Sequence, residues 1–158
     1  MTPDGKLAVV ANGGNSGISD GSADTLSVVD LEAVPPRVVD HVVVGEGPEG
    51  IFVSPDGQYF AAMIHRGSNH ANTEWYFHET GVLVAFRVVD KRLVRIAEVE
   101  MGRFPEPAAF SLDSRYLYVG NVRDRWLSIL RFSGNSVTKL PHDMKLPGQP
   151  VSMRGSNP

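Results

Sequence analysis

The chain has 158 residues, the length of one domain or of a piece of a larger one. With 42% hydrophobic and 21% charged residues it can bury a core, which excludes disorder as its resting state. A net charge of −3 offers no phosphate-tracking surface for nucleic acid, no apolar run is long enough for a transmembrane helix, and the absence of cysteine excludes disulfides, thiolate catalysis and Cys-ligated zinc or iron–sulfur sites.

Taken in chain order, the elements read as strands separated by turns. Thr2-Pro3-Asp4-Gly5 is a turn signal with proline at its second position, and an apolar run to Asn12 follows it. A Gly/Ser/Asp-rich loop covers residues 13–24, and strands are predicted at Thr25–Asp30 and Arg37–Val44. Gly47-Pro48-Glu49 introduces Gly50–Val53, and the turn Ser54-Pro55-Asp56-Gly57 feeds a strand ending at Ile64. After a long loop, residues 65–81, come strands at Val82–Arg87 and Leu93–Met101. Phe104-Pro105-Glu106 introduces Pro107–Phe110, and Ser111-Leu112-Asp113-Ser114 feeds a strand ending at Asn121. Only residues 122–125 separate it from Trp126–Arg131, which is followed by a weaker strand at Val137–Leu146 and a last one at Pro150–Met153, introduced by Gly148-Gln149-Pro150.

The same turn-and-strand unit therefore occurs three times in register, with steps of 52 residues from Pro3 to Pro55 and 57 from Pro55 to Leu112. Without the variable loops the unit is about forty residues, the size of one four-stranded propeller blade. The expected fold is an all-β, incomplete β-propeller of about three blades. A β-sandwich would not repeat one turn and strand pair three times in register. With blade strands labelled A to D from the axis outward, residues 1–46 supply BCD, 47–103 ABCD, 104–147 ABCD and 148–158 a final A strand. Three blades do not close a ring. The start inside a turn predicts that this is the C-terminal part of a longer chain; the other arrangement is a six-bladed ring made by two copies.

Ser54-Pro55-Asp56-Gly57, Arg115-Tyr116-Leu117-Tyr118-Val119-Gly120-Asn121 and the Gly-x-Pro lead-in resemble the YVTN-type β-propeller repeat, shared by lactonase-like seven-bladed propellers and extracytoplasmic bacterial propeller proteins. The resemblance covers nearly the whole chain and implies a fold more than an activity. The second repeat departs from it, with Met63-Ile64-His65 where the family favours Val-Ala-Asn. A periplasmic or secreted location is implied by the resemblance alone.

Strand alternation puts the B-to-C and D-to-A loops on one face, where function is expected to concentrate. Glu49 and Glu106 hold equivalent positions there, with Val151 in the third repeat; two carboxylates facing one channel suit an amine or a divalent cation, or acid–base work. His65, His70 and His78 share a loop with Glu74 and Glu79, but in no recognised ligand spacing, and no metal or cofactor site is assigned. Trp75-Tyr76-Phe77 in the same loop reads as a ligand platform or a lid. Asp20 and Asp24 could wrap calcium, although flexibility explains their loop as well. Arg66 and Arg123 could hold an anion, while Arg123-Asp124-Arg125 reads as local ion pairing. The candidate ligand-binding set is Glu49, Glu106, His65, Arg66, Trp75, Tyr76, Asn121 and Arg123.

No serine lies in a recognised nucleophile motif. The expected function is a binding scaffold for a ligand or protein partner, without its own catalysis. The alternative is a lactonase-like hydrolase using Glu49 or Glu106 with His65 or Arg123.

Overall fold

The computed structural model describes residues 1–14 and 19–155. Among these residues the regular structure is all strand, in three antiparallel sheets. The first holds β1 (Leu7–Asn12), β2 (Asp24–Asp30) and β3 (Arg37–Gly45) in that order. The second is a four-stranded meander of β4 (Pro48–Val53), β5 (Tyr59–Ile64), β6 (Val82–Val89) and β7 (Arg92–Glu100). The third holds β8 (Pro105–Phe110), β9 (Tyr116–Asn121), β10 (Trp126–Ser133) and β11 (Ser136–Lys139), with β12 (Met144–Lys145) also on β10. This is a partial β-propeller of about three blades, and the sheets do not close into a ring.

The repeated turn is one hydrogen-bonded clasp built three times. In the second blade, the Ser54 hydroxyl donates to Asp56 at 2.5 Å and accepts the Tyr59 N–H at 2.9 Å, while Asp56 accepts the Gln58 N–H at 3.0 Å. Thr2, Asp4, Leu7 and Lys6 repeat these contacts in the same order at 2.6, 3.0 and 3.1 Å. Ser111, Asp113, Tyr116 and Arg115 repeat them at 2.6, 2.9 and 3.1 Å. The fourth residue of each clasp takes a left-handed φ: 73° at Gly5, 72° at Gly57 and 60° at Ser114. Ser114 occupies this costly conformation where its buried hydroxyl accepts the Asp56 N–H of the neighbouring blade at 3.1 Å.

The core lies between the blades. The second sheet is covered on both faces, so β5 is buried at every position. Side chains alternate along a strand. Tyr59, Ala61 and Met63 accordingly pack toward Phe110, Leu117, Leu130 and Phe132 of the third sheet. Phe60, Ala62 and Ile64 pack toward Leu7, Leu26 and Val28 of the first. The uninterrupted apolar run of β5 is thus a strand buried on two sides.

The repeats also trade polar for apolar packing as a pair. Asn12 donates to Ser27 at 2.7 Å, and Asn121 to Ser128 at 2.9 Å. In the second blade Ile64 and Val84 stand at the matching positions, both fully buried. Replacing either partner alone would strand a polar group.

Two expected strands differ. Val137–Leu146 is split, because Pro141 has no N–H to give the ladder: Leu130 pairs with Lys139, but the pairing resumes shifted at Leu127 with Met144. Residues 148–155 of the predicted final A strand join no sheet; Pro150 packs on Gly120. Its last residues, 156–158, lie outside the described residues, as do 15–18 of the first loop.

Ser54→Ala removes two bonds of a fully buried hydroxyl, so a loss of about 1–3 kcal/mol is expected, read as a lower denaturation midpoint at unchanged slope. Acid acts on the same feature. The hydroxyl of Ser111, then Arg115, holds Asp113 down to about 2, and Thr2 and the Lys6 N–H lower Asp4. A carboxylate lowered by folding stabilises above its ordinary value of 3.8 and loses that contribution as pH falls toward about 2. Thermal melts across this window should fall, and less steeply in Asp113→Asn.

Candidate functional site

The loops between second and third strands do meet the corners that lead into each inner strand. The His65 N–H donates to Gly47 and the Val122 N–H to Phe104, both at 3.0 Å. Aspartates brace the same junction. Asp24 accepts the Gly14 and Gly47 N–H groups at 2.6 and 3.0 Å, and Asp124 accepts the Arg103 N–H at 2.6 Å. Asp24 is therefore occupied by backbone, and Asp124 serves as a corner brace where ion pairing was expected.

Each inner strand opens with a one-residue bulge. Pairing steps from Pro48–Ile64 to Ile51–Ala62 in the second blade, and from Pro105–Asn121 to Ala108–Val119 in the third. Glu49 and Glu106 sit in these equivalent bulges, which turn a side chain out of the ladder. Glu49 is exposed, and its carboxylate lies 3.5 Å from Nδ1 of His65. His65 is itself 2% exposed, with the Phe104 ring edge-on at 4.8 Å. Phe104 has a left-handed φ of 55°, and its N–H donates to Ser68 at 3.0 Å. A bulky residue held in that conformation marks a corner fixed by its surroundings.

Burial pushes the His65 imidazole below its ordinary value and His70 adds to this, while the Glu49 charge and the Pro105 backbone oppose it. Burial raises Glu106, and the charge of Glu49 raises it further. At neutral pH the imidazole is uncharged, between the Glu49 carboxylate and an aromatic edge. A cavity of about 370 Å³ opens beside it, lined by Asp24, Glu49, His65, Asn69 and Ser19 among others. Arg123 reaches the same rim and donates to the Asn69 carbonyl at 3.3 Å.

The structure thus brings together Glu49, Glu106, His65 and Arg123. It places Arg66, Trp75 and Tyr76 around a second cavity, between the first two blades. Asn121 is fully buried; its carbonyl accepts the Gly102 N–H at 2.6 Å and its amide serves Ser128, so its polar atoms complete the blade corner. The His65, His70 and His78 loop does not converge on an ion: His78 faces the carbonyls of Arg66 and Tyr76, and His70 stacks edge-on with Tyr76. Among the described residues no group of three His, Asp or Glu side chains is placed to hold a metal. Sequence reasoning missed Glu46, which lines the second cavity with a buried carboxylate; a single acid between two glycines carries no periodic signal.

No protein-family model matches the chain, and no curated protein matches it. Solved structures do. A provisionally named 6-phosphogluconolactonase from Bacteroides fragilis aligns with a TM-score of 0.73 at 19% identity, over 96% of this chain and 39% of that one. Kuenenia stuttgartiensis hydrazine synthase aligns with a TM-score of 0.68 at 18% identity, over 98% of this chain and 51% of that one. A second provisionally named 6-phosphogluconolactonase, from Bacteroides uniformis, gives 0.63 at 17% identity, over 95% and 46%. The chain spans about half or less of each of these structures, and at such identities the likeness is one of fold.

Removing the Glu49 charge should lower both neighbours. In Glu49→Gln the His65 and Glu106 titration midpoints, followed by NMR, are each expected to move down from their wild-type values; unchanged midpoints would place Glu49 too far away to act.

Proposed function

We propose that the chain is part of a YVTN-type propeller that binds a small ligand at its channel mouth and does no chemistry of its own. The observation that carries this is the pair of matched bulges that hold Glu49 and Glu106 of adjacent blades within electrostatic reach of each other, with the uncharged His65 beside Glu49. This mouth is rich in acceptors. Glu49 and Glu106 line or flank it, and Arg123 is a cation on its rim. It suits a ligand that brings donors, above all an amine, and suits a phosphorylated anion poorly. In this reading further blades, or a second copy of the chain, complete the ring.

A second reading, lactone hydrolysis, draws on the likeness to the two proteins named as lactonases, on the raised Glu106 and on the uncharged His65. There His65 would take a proton from the attacking water and Glu106 would protonate the leaving ring oxygen.

Two probes separate the readings. Spermidine should give saturable NMR shifts at Glu49, His65 and Glu106, weakened about tenfold or more in the Glu49→Gln/Glu106→Gln variant. D-glucono-1,5-lactone should hydrolyse no faster than in buffer. Lactone turnover that disappears in Glu106→Gln would replace the binding reading with the hydrolytic one.

A further inference from the structure

We propose that the cavity between the first two blades, separate from the channel mouth, binds a zwitterionic amino acid with an apolar or aromatic side chain. The cavity holds about 490 Å³, within the usual small-molecule range of roughly 300–1,000 Å³. Its floor is apolar, formed by the buried Ile64 and Val82. One wall is aromatic: Trp75 and Tyr76 meet edge-on at 5.6 Å, and the Trp75 ring lies against Gly21, where a side chain would collide with it. Trp75 is nevertheless 79% exposed, an open surface available to an apolar group.

The charges specify the ligand's other end. Arg95 and Glu98 answer each other at 3.0 Å, and Arg95 also donates to the Val43 carbonyl at 2.6 Å. That leaves one acid and one base. Both carboxylate oxygens of Glu46 are buried, and among the described residues neither has a hydrogen-bond partner. Arg66, on the same cavity, enters no ion pair among the described residues. His78 is turned to the Arg66 and Tyr76 carbonyls. A buried carboxylate without donors is costly, and a ligand ammonium would supply them. The Arg66 fork matches a carboxylate. A simple cation would leave Arg66 opposing it, and a simple anion would meet Glu46. An amino acid presents both charges a few ångströms apart and leaves its side chain for Trp75, Tyr76 and the apolar floor.

The test is calorimetric titration of the whole chain with L-phenylalanine, beside phenethylamine and 3-phenylpropionate, which each lack one charge. Saturable binding of L-phenylalanine is expected, with both analogues about tenfold weaker or more. Glu46→Gln, nearly isosteric, should weaken binding about tenfold, and Trp75→Ala, at an exposed position, several-fold, both with unchanged circular dichroism. Glu49→Gln should leave it unchanged, which separates this cavity from the channel mouth. No saturable heat up to about 10 mM, phenethylamine binding as tightly as L-phenylalanine, or wild-type affinity in Glu46→Gln would each overturn the proposal.

Discussion

A hydroxyl and a carboxylate two residues apart fold this chain back on itself three times. In each clasp the Ser or Thr oxygen works in both directions, donating to the aspartate and accepting the N–H five residues on. The carboxylate takes another N–H of the same turn, so a tight reversal buries few unpaired groups. The clasp starts the strand after the inner one in register, and that register decides which residues of β5 and β9 face which neighbour. The Asp56–Ser114 bond ties the turn of one blade to that of the next, so spacing between blades is set at the same point.

From this frame the middle sheet acquires two buried faces, and the inner strands come very close. At Gly50 an added Cβ would sit 2.9 Å from the Glu106 carbonyl, so backbone replaces side chain where β4 passes β8. That approach makes Glu49 and Glu106 electrostatic neighbours although 57 residues separate them in the chain. The bulges then rotate both carboxylates out of the ladders. Site geometry is therefore a consequence of how the inner strands begin, and the long loops add walls to it.

The loop from His65 to Gly81 serves two chambers. Its first residue closes the acceptor-rich channel mouth, while Arg66, Trp75 and Tyr76 turn toward the cavity over the first blade boundary. Arg66 lies at a left-handed φ of 53°, next to Gly67 at 69°, and this reversal sends consecutive side chains to opposite sides. At Gly67 a Cβ would come within 2.7 Å of the Tyr76 carbonyl, so the aromatic segment is packed against the start of the same loop.

Much of the fold was legible because its determinants are local and repeated. The turns, the apolar runs, the proline lead-ins and the three-blade count all follow from residues close together in sequence. Glu49 and Glu106 could be matched because they follow equivalent prolines. The interrupted outer strand at Pro141 was signalled by proline itself, yet the resumption of pairing at Met144 depended on the neighbouring strand. Other features needed the assembled structure. Asn121, expected at a ligand, is buried in a corner because Gly102, 19 residues earlier, brings it an N–H. Asp24 and Asp124 brace corners far from them in sequence. Arg66 left the channel mouth because of a backbone reversal that no composition reveals. Glu46 became a buried carboxylate when two blades closed over it. Sequence by itself determined what each segment would become, since turns and strands answer to short-range sterics and hydrogen bonding. Tertiary structure alone decided which charges would meet, because burial and proximity arise only when distant segments pack.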